Sequence, residues 1–272
     1  MKIAEELPEF YPETILAIQA ARKGAKVLLD VYESNFSAEI RDGEPVTEAD
    51  RISNEVILKE LADTKYLVLS EESLDGHERL KQQKIWVIDP LDGTSDFVNK
   101  TGEFSILIGL VDTMLPILGV IYQPINDILY VAEKGRGAYQ QIKKDWHKLS
   151  VSSISDISMA RVVMSRHHLE EKEKKFLNKL GVTKFIQQGS CGLKVATIAE
   201  GKAELYLTMT DKIKQWDTCA ANCIIAEAGG KMTDMLGNPL QYNTAEVRHQ
   251  NGILASNGNF FESVIRIYKE FV

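Results

Sequence analysis

Three cysteines, Cys191, Cys219 and Cys223, are all that the chain contains. Their odd number gives no disulfide framework, and they form no metal-ligand spacing, so reduced cytosolic thiols are expected. No block of lysine and arginine stands alone, and the formal net charge is −7. The electrostatic drive for binding polymeric nucleic acid is therefore missing, and a small anionic substrate would need local compensation from metal ions or a few placed basic side chains. The first ten residues hold no apolar signal core, and no run approaches the roughly 20 apolar residues of a spanning helix. A cytoplasmic protein without membrane insertion is the expectation. Internal repeats and low-complexity tracts are absent as well. What is present, 44% hydrophobic and 26% charged residues over 272 positions, can bury a large core in one domain or two intimate lobes.

The chain is organised around residues 86–104, where Asp89 and Asp92 flank a Pro-Leu pair and are followed at once by Gly93-Thr94. The run 85–88 reads as a buried strand that delivers Asp89 to its end. Pro90 denies the next ladder bond and Gly93 lets the backbone turn closely under a ligand. A helix opening near Ser95 would leave the Gly93 and Thr94 amides at its N-terminus, where anions bind. Carboxylates for a divalent cation beside N–H donors for an anion make a phosphate-hydrolysis site.

Apolar residues at three- and four-residue steps predict a helix over 12–32. A polar loop over 33–44 precedes a second helix from Pro45 through about Leu61. Residues 66–70 form a strand ending in Glu71-Glu72, and the runs 104–111, 117–122 and 128–132 read as an antiparallel meander. Near Leu149 the texture changes to Ser-rich and then to alternating strands and helices, so a lobe boundary is placed there. Strands are expected over 161–165, 184–187, 203–207, 231–233 and 253–255. Helices are expected over 169–180, 192–199, 217–228 and 259–268, with 208–215 an irregular loop.

A hard cation such as Mg²⁺ takes one or two carboxylates plus water and substrate phosphate, so a site for several ions needs converging acids. Asp89, Asp92, Glu71 and Asp217 each lie at an element boundary, where a rigid scaffold presents a side chain. Any one acid alone reads as merely solvated, and Asp217 reads as a helix N-cap. Thr47 with Asp50 fits a capping box. A Thr hydroxyl bonded to an acid could align the attacking water, and Thr94 is placed for that. Trp86 and Trp216 read as core anchors, Cys219 and Cys223 as buried small hydrophobes, and Asp96 as an acid in a first helical turn.

Asp89-Pro-Leu-Asp-Gly-Thr94, with Trp216-Asp217-Thr218 and Glu227-Ala-Gly-Gly230, resembles the lithium-sensitive, magnesium-dependent phosphatases of the inositol monophosphatase superfamily over essentially the whole chain. The resemblance implies an α/β fold: a layered α-β-α-β-α sandwich with the active site between two lobes. The first, 1–149, would be an α+β lobe with most metal ligands; the second, 150–272, an α/β lobe with Asp217 and the specificity residues. It implies two or three Mg²⁺ ions held by Glu71, Asp89, Asp92, Asp217 and the Leu91 carbonyl. It also implies that Asp50 and Thr94 activate the nucleophilic water and that the Gly93 and Thr94 amides contact phosphate.

Three further stretches, Ser165-Arg-His-His168, Gly189-Ser-Cys-Gly-Leu-Lys194 and Asn238-Pro-Leu-Gln-Tyr242, are most similar to the 3′(2′),5′-bisphosphate nucleotidases of sulfur metabolism. These convert 3′-phosphoadenosine 5′-phosphate to AMP. A second phosphate away from the metals needs its own partners, and Lys194 with the Gly189-Ser190 backbone at a helix N-terminus could supply them. Arg166 and His168 could contact the nucleotide. The bland alternatives are a solvated helix lysine and a surface histidine. The loop before Trp216 departs from the pattern: it lacks a Gly-Pro segment and carries Thr210 where inositol-specific members have an acid, while Lys212 and Lys214 read as solvated. The expected partner is thus a small phosphorylated molecule, 3′-phosphoadenosine 5′-phosphate or its sulfated parent, with the protein a monomer or homodimer. Inositol monophosphatase or fructose-1,6-bisphosphatase activity on the same scaffold, and a catalytically silent nucleotide sensor, are the rival readings.

Overall fold

The computed structural model describes residues 9–41, 43–167 and 169–272. Helix α1, Pro12–Tyr32, buries Ala17, Ala20, Ala21, Ala25 and Leu28 along one face, a small-residue stripe that allows close packing. A hairpin follows, β1 Ala38–Arg41 with β2 Glu44–Thr47, and then α2, Glu48–Leu61. Residues 38–41, expected as loop, are therefore a strand, and the second helix begins at Glu48 rather than Pro45. Pro45 is tolerated in β2 because the hairpin has no third strand. Thr47 caps α2, its hydroxyl accepting from the Ala49 N–H at 3.1 Å.

Seven strands form the first sheet in simple order: β3 Leu67–Ser70, β4 Lys84–Asp92, β5 Ser105–Asp112, β6 Leu115–Gln123, β7 Ile128–Glu133, β8 Gly137–Ile142 and β9 Asp145–Lys148. Only β3 and β4 pair in parallel. Strands β8 and β9 were not expected: β8 mixes glycine and glutamine with its apolar residues, and β9 is short and polar at the sheet edge. Along β4 the side chains alternate between two cores. Trp86 and Ile88 face α1 and α2, whereas Ile85 and Val87 join the core on the opposite face.

The second sheet has the order β11-β10-β12-β14-β13, built from β10 Arg161–Ser165, β11 Lys184–Gln188, β12 Leu205–Thr208, β13 Lys231–Thr233 and β14 Ile253–Ser256. Helices α5, Cys191–Ala199, and α6, Gln215–Glu227, fill the space between the sheets, while α4, Glu171–Leu180, and α7, Phe261–Lys269, cover the far face of the second. The five layers run α1/α2, first sheet, α5/α6, second sheet, α4/α7, which is the α-β-α-β-α sandwich expected. A short helix α3, Thr94–Val98, follows β4.

Helix α6 lies unusually close to the first sheet. Gly109 and Gly119 are cross-strand partners on β5 and β6. A Cβ at Gly109 would stand 2.4 Å from Cys219 Sγ, and one at Gly119 2.3 Å from the Ala220 carbonyl oxygen. The absent side chains make the seat that fixes α6, and with it Asp217, against the sheet.

Candidate active site

Strand β4 does not stop at Ile88. It pairs with β5 through Asp89↔Leu107, slips, and resumes at Asp92↔Ser105. The slip opposes Pro90 and Leu91 to the single residue Ile106, a bulge that re-aims the chain between the two acids. Asp89 Oδ1 accepts from the Leu91 N–H at 2.9 Å. Gly93 then turns at φ +94, where an added Cβ would lie 3.0 Å from the Glu103 carbonyl oxygen and 3.2 Å from the Ser190 nitrogen. No larger residue fits there without movement, and the Gly93 and Thr94 amides are left at the start of α3, before any in-helix acceptor exists.

Asp50 is buried and doubly anchored by its own helix cap: Oδ2 accepts from the Thr47 N–H at 2.7 Å and from the Thr47 hydroxyl at 2.8 Å. Its other oxygen, Oδ1, lies 3.1 Å from Thr94 Oγ1, and Thr94 Oγ1 is also 3.1 Å from the Leu91 carbonyl oxygen. The capping box that the sequence offered as a structural motif thus also orients the acid that Thr94 meets.

Glu71 follows β3, its N–H donating to the Ile88 carbonyl. Asp217 is not the N-cap of α6, as the sequence suggested. The helix begins two residues earlier, Asp217 is its third residue, and Asp217 Oδ2 accepts from the Lys214 N–H at 2.7 Å. Lys214 is partly buried rather than solvated, with Nζ 3.6 Å from Glu71 Oε1 and 5.0 Å from the Trp216 ring centre. Trp216 is buried, and its indole N–H is the single buried side-chain donor without a partner among the described residues.

These acids perturb one another. Burial raises the Asp89 carboxyl well above its ordinary range, and the charges of Glu71, Asp92 and Asp217 push it further. Asp217 is raised by burial and then by Glu71. Burial likewise raises Glu71 to about 7, with Lys214 opposing. Asp50 is raised chiefly by burial. A crowd of buried, mutually repelling hard-oxygen donors suits a hard divalent cation and little else. No three His, Cys, Asp or Glu side chains among the described residues are gathered closely enough to hold an ion as they stand. The reason lies in their partners, since Asp89, Asp92 and Asp217 are each turned onto backbone N–H groups that a cation would compete with.

The cavity above the acids has a volume of about 710 Å³, and Asp50, Glu71, Asp89, Leu91, Asp92, Gly93, Thr94, Ser190, Lys194 and Asp217 all line it. Lys194 is buried, not a solvated helix lysine. Its ammonium lies 5.4 Å from the centre of the Tyr206 ring and has no carboxylate at ion-pair distance among the described residues. Lys212 and Arg248 add positive charge to the lining.

Two expectations need correction. The α5 N-terminus is not an open anion site, because Asp92 already occupies it: Oδ1 accepts from the Cys191 N–H at 2.9 Å, and Oδ2 from the Gly192 N–H at 2.8 Å and from the Ser190 hydroxyl. Ser190 adopts φ +54 in this arrangement, a left-handed conformation that serine rarely takes. The Gly189 N–H is spent on Glu103 Oε2 at 2.7 Å. Arg166 does not line the cavity; its guanidinium pairs with the same Glu103 oxygen at 2.7 Å and with Asp96 at 3.4 Å. His167, which the sequence reading passed over, does line it, 3.4 Å from Asp96. Asp96 is buried and accepts from the Thr101 hydroxyl at 2.7 Å, so it anchors this corner instead of merely favouring a helix start. His168 lies outside the described residues.

Sequence reasoning also missed Glu72 and Arg41, which pair at 2.9 Å on the cavity wall. Only the β1–β2 hairpin brings Arg41 there, and short polar strands gave no signal for it. Among the described residues no helix is long and apolar enough to cross a membrane.

Comparison with known proteins places this geometry in context. The profile of the inositol monophosphatase family matches residues 11–270. The 3'(2'),5'-bisphosphate nucleotidase CysQ of Escherichia coli K12 is 35% identical over 234 residues, covering 84% of this chain and 93% of that protein. Its Haemophilus influenzae counterpart is 32% identical, covering 83% and 86%. Among solved structures, CysQ from Bacteroides thetaiotaomicron superposes with a TM-score of 0.80 at 30% identity, over 92% of this chain and 98% of that one. An inositol monophosphatase from Anabaena superposes with a TM-score of 0.77 at 28% identity, over 95% of each chain.

Proposed function

The chain belongs to the inositol monophosphatase family, and from that premise we propose that it is a magnesium-dependent 3′(2′),5′-bisphosphate nucleotidase, converting 3′-phosphoadenosine 5′-phosphate to AMP and phosphate. The observation that carries the substrate class is Lys194, a buried cation without a carboxylate partner in the same cavity as the acids. A monoester needs only the acid end of the cavity. A bisphosphate brings a second anion, and a buried ammonium is its natural counter-charge. Thr210 on the lining, where an acid would serve sugar hydroxyls, points the same way.

On this reading Glu71, Asp89, Asp92, Asp217 and the Leu91 carbonyl would hold two or three Mg²⁺ ions, with Asp217 brought to the others from a second lobe beginning after Leu149. Bound magnesium supplies charge neutralisation for the phosphoryl group and acidifies water. The chain's own residues do the rest. Thr94 donates its hydroxyl hydrogen bond to Asp50 and turns a lone pair to the attacking water; as the water attacks, its proton passes to Thr94 Oγ1 while the Thr94 proton passes to Asp50, buried and raised in pKa, which is the net acceptor. The Gly93 and Thr94 amides take phosphoryl oxygens at the α3 N-terminus. Lys194 holds the 5′-phosphate.

Phosphate release with Mg²⁺, measured side by side from 3′-phosphoadenosine 5′-phosphate, inositol 1-phosphate and fructose 1,6-bisphosphate, tests the proposal. The nucleotide should have the highest kcat/KM. A preference for inositol 1-phosphate would overturn the substrate class, and binding of the nucleotide without release would overturn catalysis.

A further inference from the structure

We infer that Arg79 and Asn243 are positioning residues that set the separation of Glu71 and Asp217, an inference that rests on those acids being metal ligands. Arg79 lies in the connection between β3 and β4, and only 2% of its surface is exposed. All three of its guanidinium nitrogens donate. Nε and Nη2 donate to Asp75 Oδ2 at 3.0 and 2.6 Å, Nη1 donates to Asn243 Oδ1 at 3.0 Å, and Nη2 also reaches the Thr244 carbonyl at 3.1 Å. Asn243 returns two bonds, its Nδ2 donating to the Arg79 and Gln82 carbonyls at 3.1 Å each. The local pair with Asp75 would be enough to neutralise Arg79. The other bonds cross to a segment 164 residues away.

That segment is a strap over the start of α6. The Asn243 N–H donates to Gln215 Oε1 at 2.7 Å, and Gln215 Nε2 donates to Thr244 Oγ1 at 2.7 Å and to the Glu246 carbonyl at 3.0 Å. The Gln215 N–H reaches the Val247 carbonyl at 2.9 Å, and the His249 N–H reaches the Ile213 carbonyl at 2.8 Å. Gln215 is 1% exposed and stands two residues before Asp217 on the same first turn. At the other end, Arg79 closes the loop that Glu71 opens. A continuous set of hydrogen bonds therefore joins the Glu71 loop to the Asp217 turn, and Arg79, Asn243 and Gln215 lie outside the cavity lining. Partners behind metal ligands commonly change affinity by about 10- to 100-fold when removed.

The test is a Mn²⁺ titration of the full chain, with free Mn²⁺ read by electron paramagnetic resonance well below each variant's Tm. Asn243→Gly keeps the backbone conformation, φ +57, and the N–H to Gln215 while deleting both groups that face Arg79. Arg79→Lys keeps the charge beside Asp75 and loses the bridge. Arg161→Met, which breaks the half-buried pair between the start of β10 and Glu204 just before β12, is the structural control. Asn243→Gly and Arg79→Lys should each weaken Mn²⁺ binding by about tenfold or more, and Arg161→Met should lower Tm with affinity unchanged. Wild-type affinity in Asn243→Gly, a partly exposed position that tolerates glycine, would overturn the inference even if Arg79→Lys fails to fold. If the wild-type chain itself binds no Mn²⁺, the ligand reading falls and the inference with it.

Discussion

Thr94 Oγ1 stands 3.1 Å from Asp50 Oδ1, and Asp50 is held at that spot by two bonds from Thr47. The hydroxyl has one proton and a second acceptor, the Leu91 carbonyl, at the same distance. Whatever engages that carbonyl elsewhere commits the proton to Asp50 and turns a Thr94 lone pair to water. Thr94→Val keeps the shape and removes the hydroxyl. It should lower kcat by about 10²- to 10⁴-fold, the range for a lost proton-transfer group, with Tm little changed. A steady-state assay at saturating substrate and Mg²⁺ checks it, and a loss confined to KM would make Thr94 a binding residue only.

The acid cluster gives the metal-free chain a particular pH dependence. Glu71 is raised from the ordinary glutamate range to about 7. The folded state thus holds this proton more tightly than the unfolded state, so its contribution to stability is complete below the unfolded pKa and is lost as pH rises through about 7. Asp89 and Asp217, raised in the same direction, act with the same sign. Thermal melts in chelator should show Tm falling from weakly acid to neutral pH, and added Mg²⁺ should restore more stability at the higher pH. A Mg²⁺ effect independent of pH would argue against coupling among these acids.

His249 works in the opposite window. Burial holds its imidazole down to about 4, and its Nε2 lies 2.7 Å from Thr218 Oγ1. Protonation therefore favours the unfolded chain, and stability is lost as pH falls from the ordinary histidine range through about 4. Replacing it with glutamine should flatten that acid limb of the melting curve, and an unchanged limb would assign acid unfolding to other groups.

Gly119→Ala places a methyl 2.3 Å from the Ala220 carbonyl oxygen, on backbone that cannot swing aside. Overpacking of this kind costs about 1–3 kcal/mol, and here it also displaces α6. Urea unfolding should report the loss of stability, together with a fall in kcat/KM from misplacing Asp217. An alanine variant with wild-type stability would mean that α6 has slack on the sheet.

Much of this was legible in the chain. Most helices and strands followed from local periodicity, while the layered sandwich followed from the resemblance carried by Asp89–Thr94 and Trp216–Thr218; in the structure Ile85 and Val87 point one way from β4 and Trp86 and Ile88 the other. Glu71, Asp89, Asp92 and Asp217 stood out at expected element boundaries, and their roles, with that of Asp50, came from the resemblance. What local patterns could not reveal were pairings across long separations. Asp92 meets α5 almost a hundred residues away, so the α5 N-terminus looked open when a carboxylate fills it. Arg166 looked like a nucleotide contact until Glu103 and Asp96 claimed it. The β1–β2 hairpin, β8 and the edge strand β9 were too short or too mixed in polarity for periodicity to register.

The central claim is that water attacks the 3′-phosphorus at the acid end of the cavity while Lys194 keeps the 5′-phosphate. Hydrolysis of 3′-phosphoadenosine 5′-phosphate in water enriched in heavy oxygen, followed by phosphorus NMR, tests it most directly. The prediction is that the label enters only inorganic phosphate, that AMP retains an unlabelled 5′-phosphate, and that Lys194→Ala raises KM by about tenfold or more, as expected for a lost charged hydrogen bond. Loss of the 5′-phosphate, label in the nucleotide, or a KM indifferent to Lys194 would contradict it.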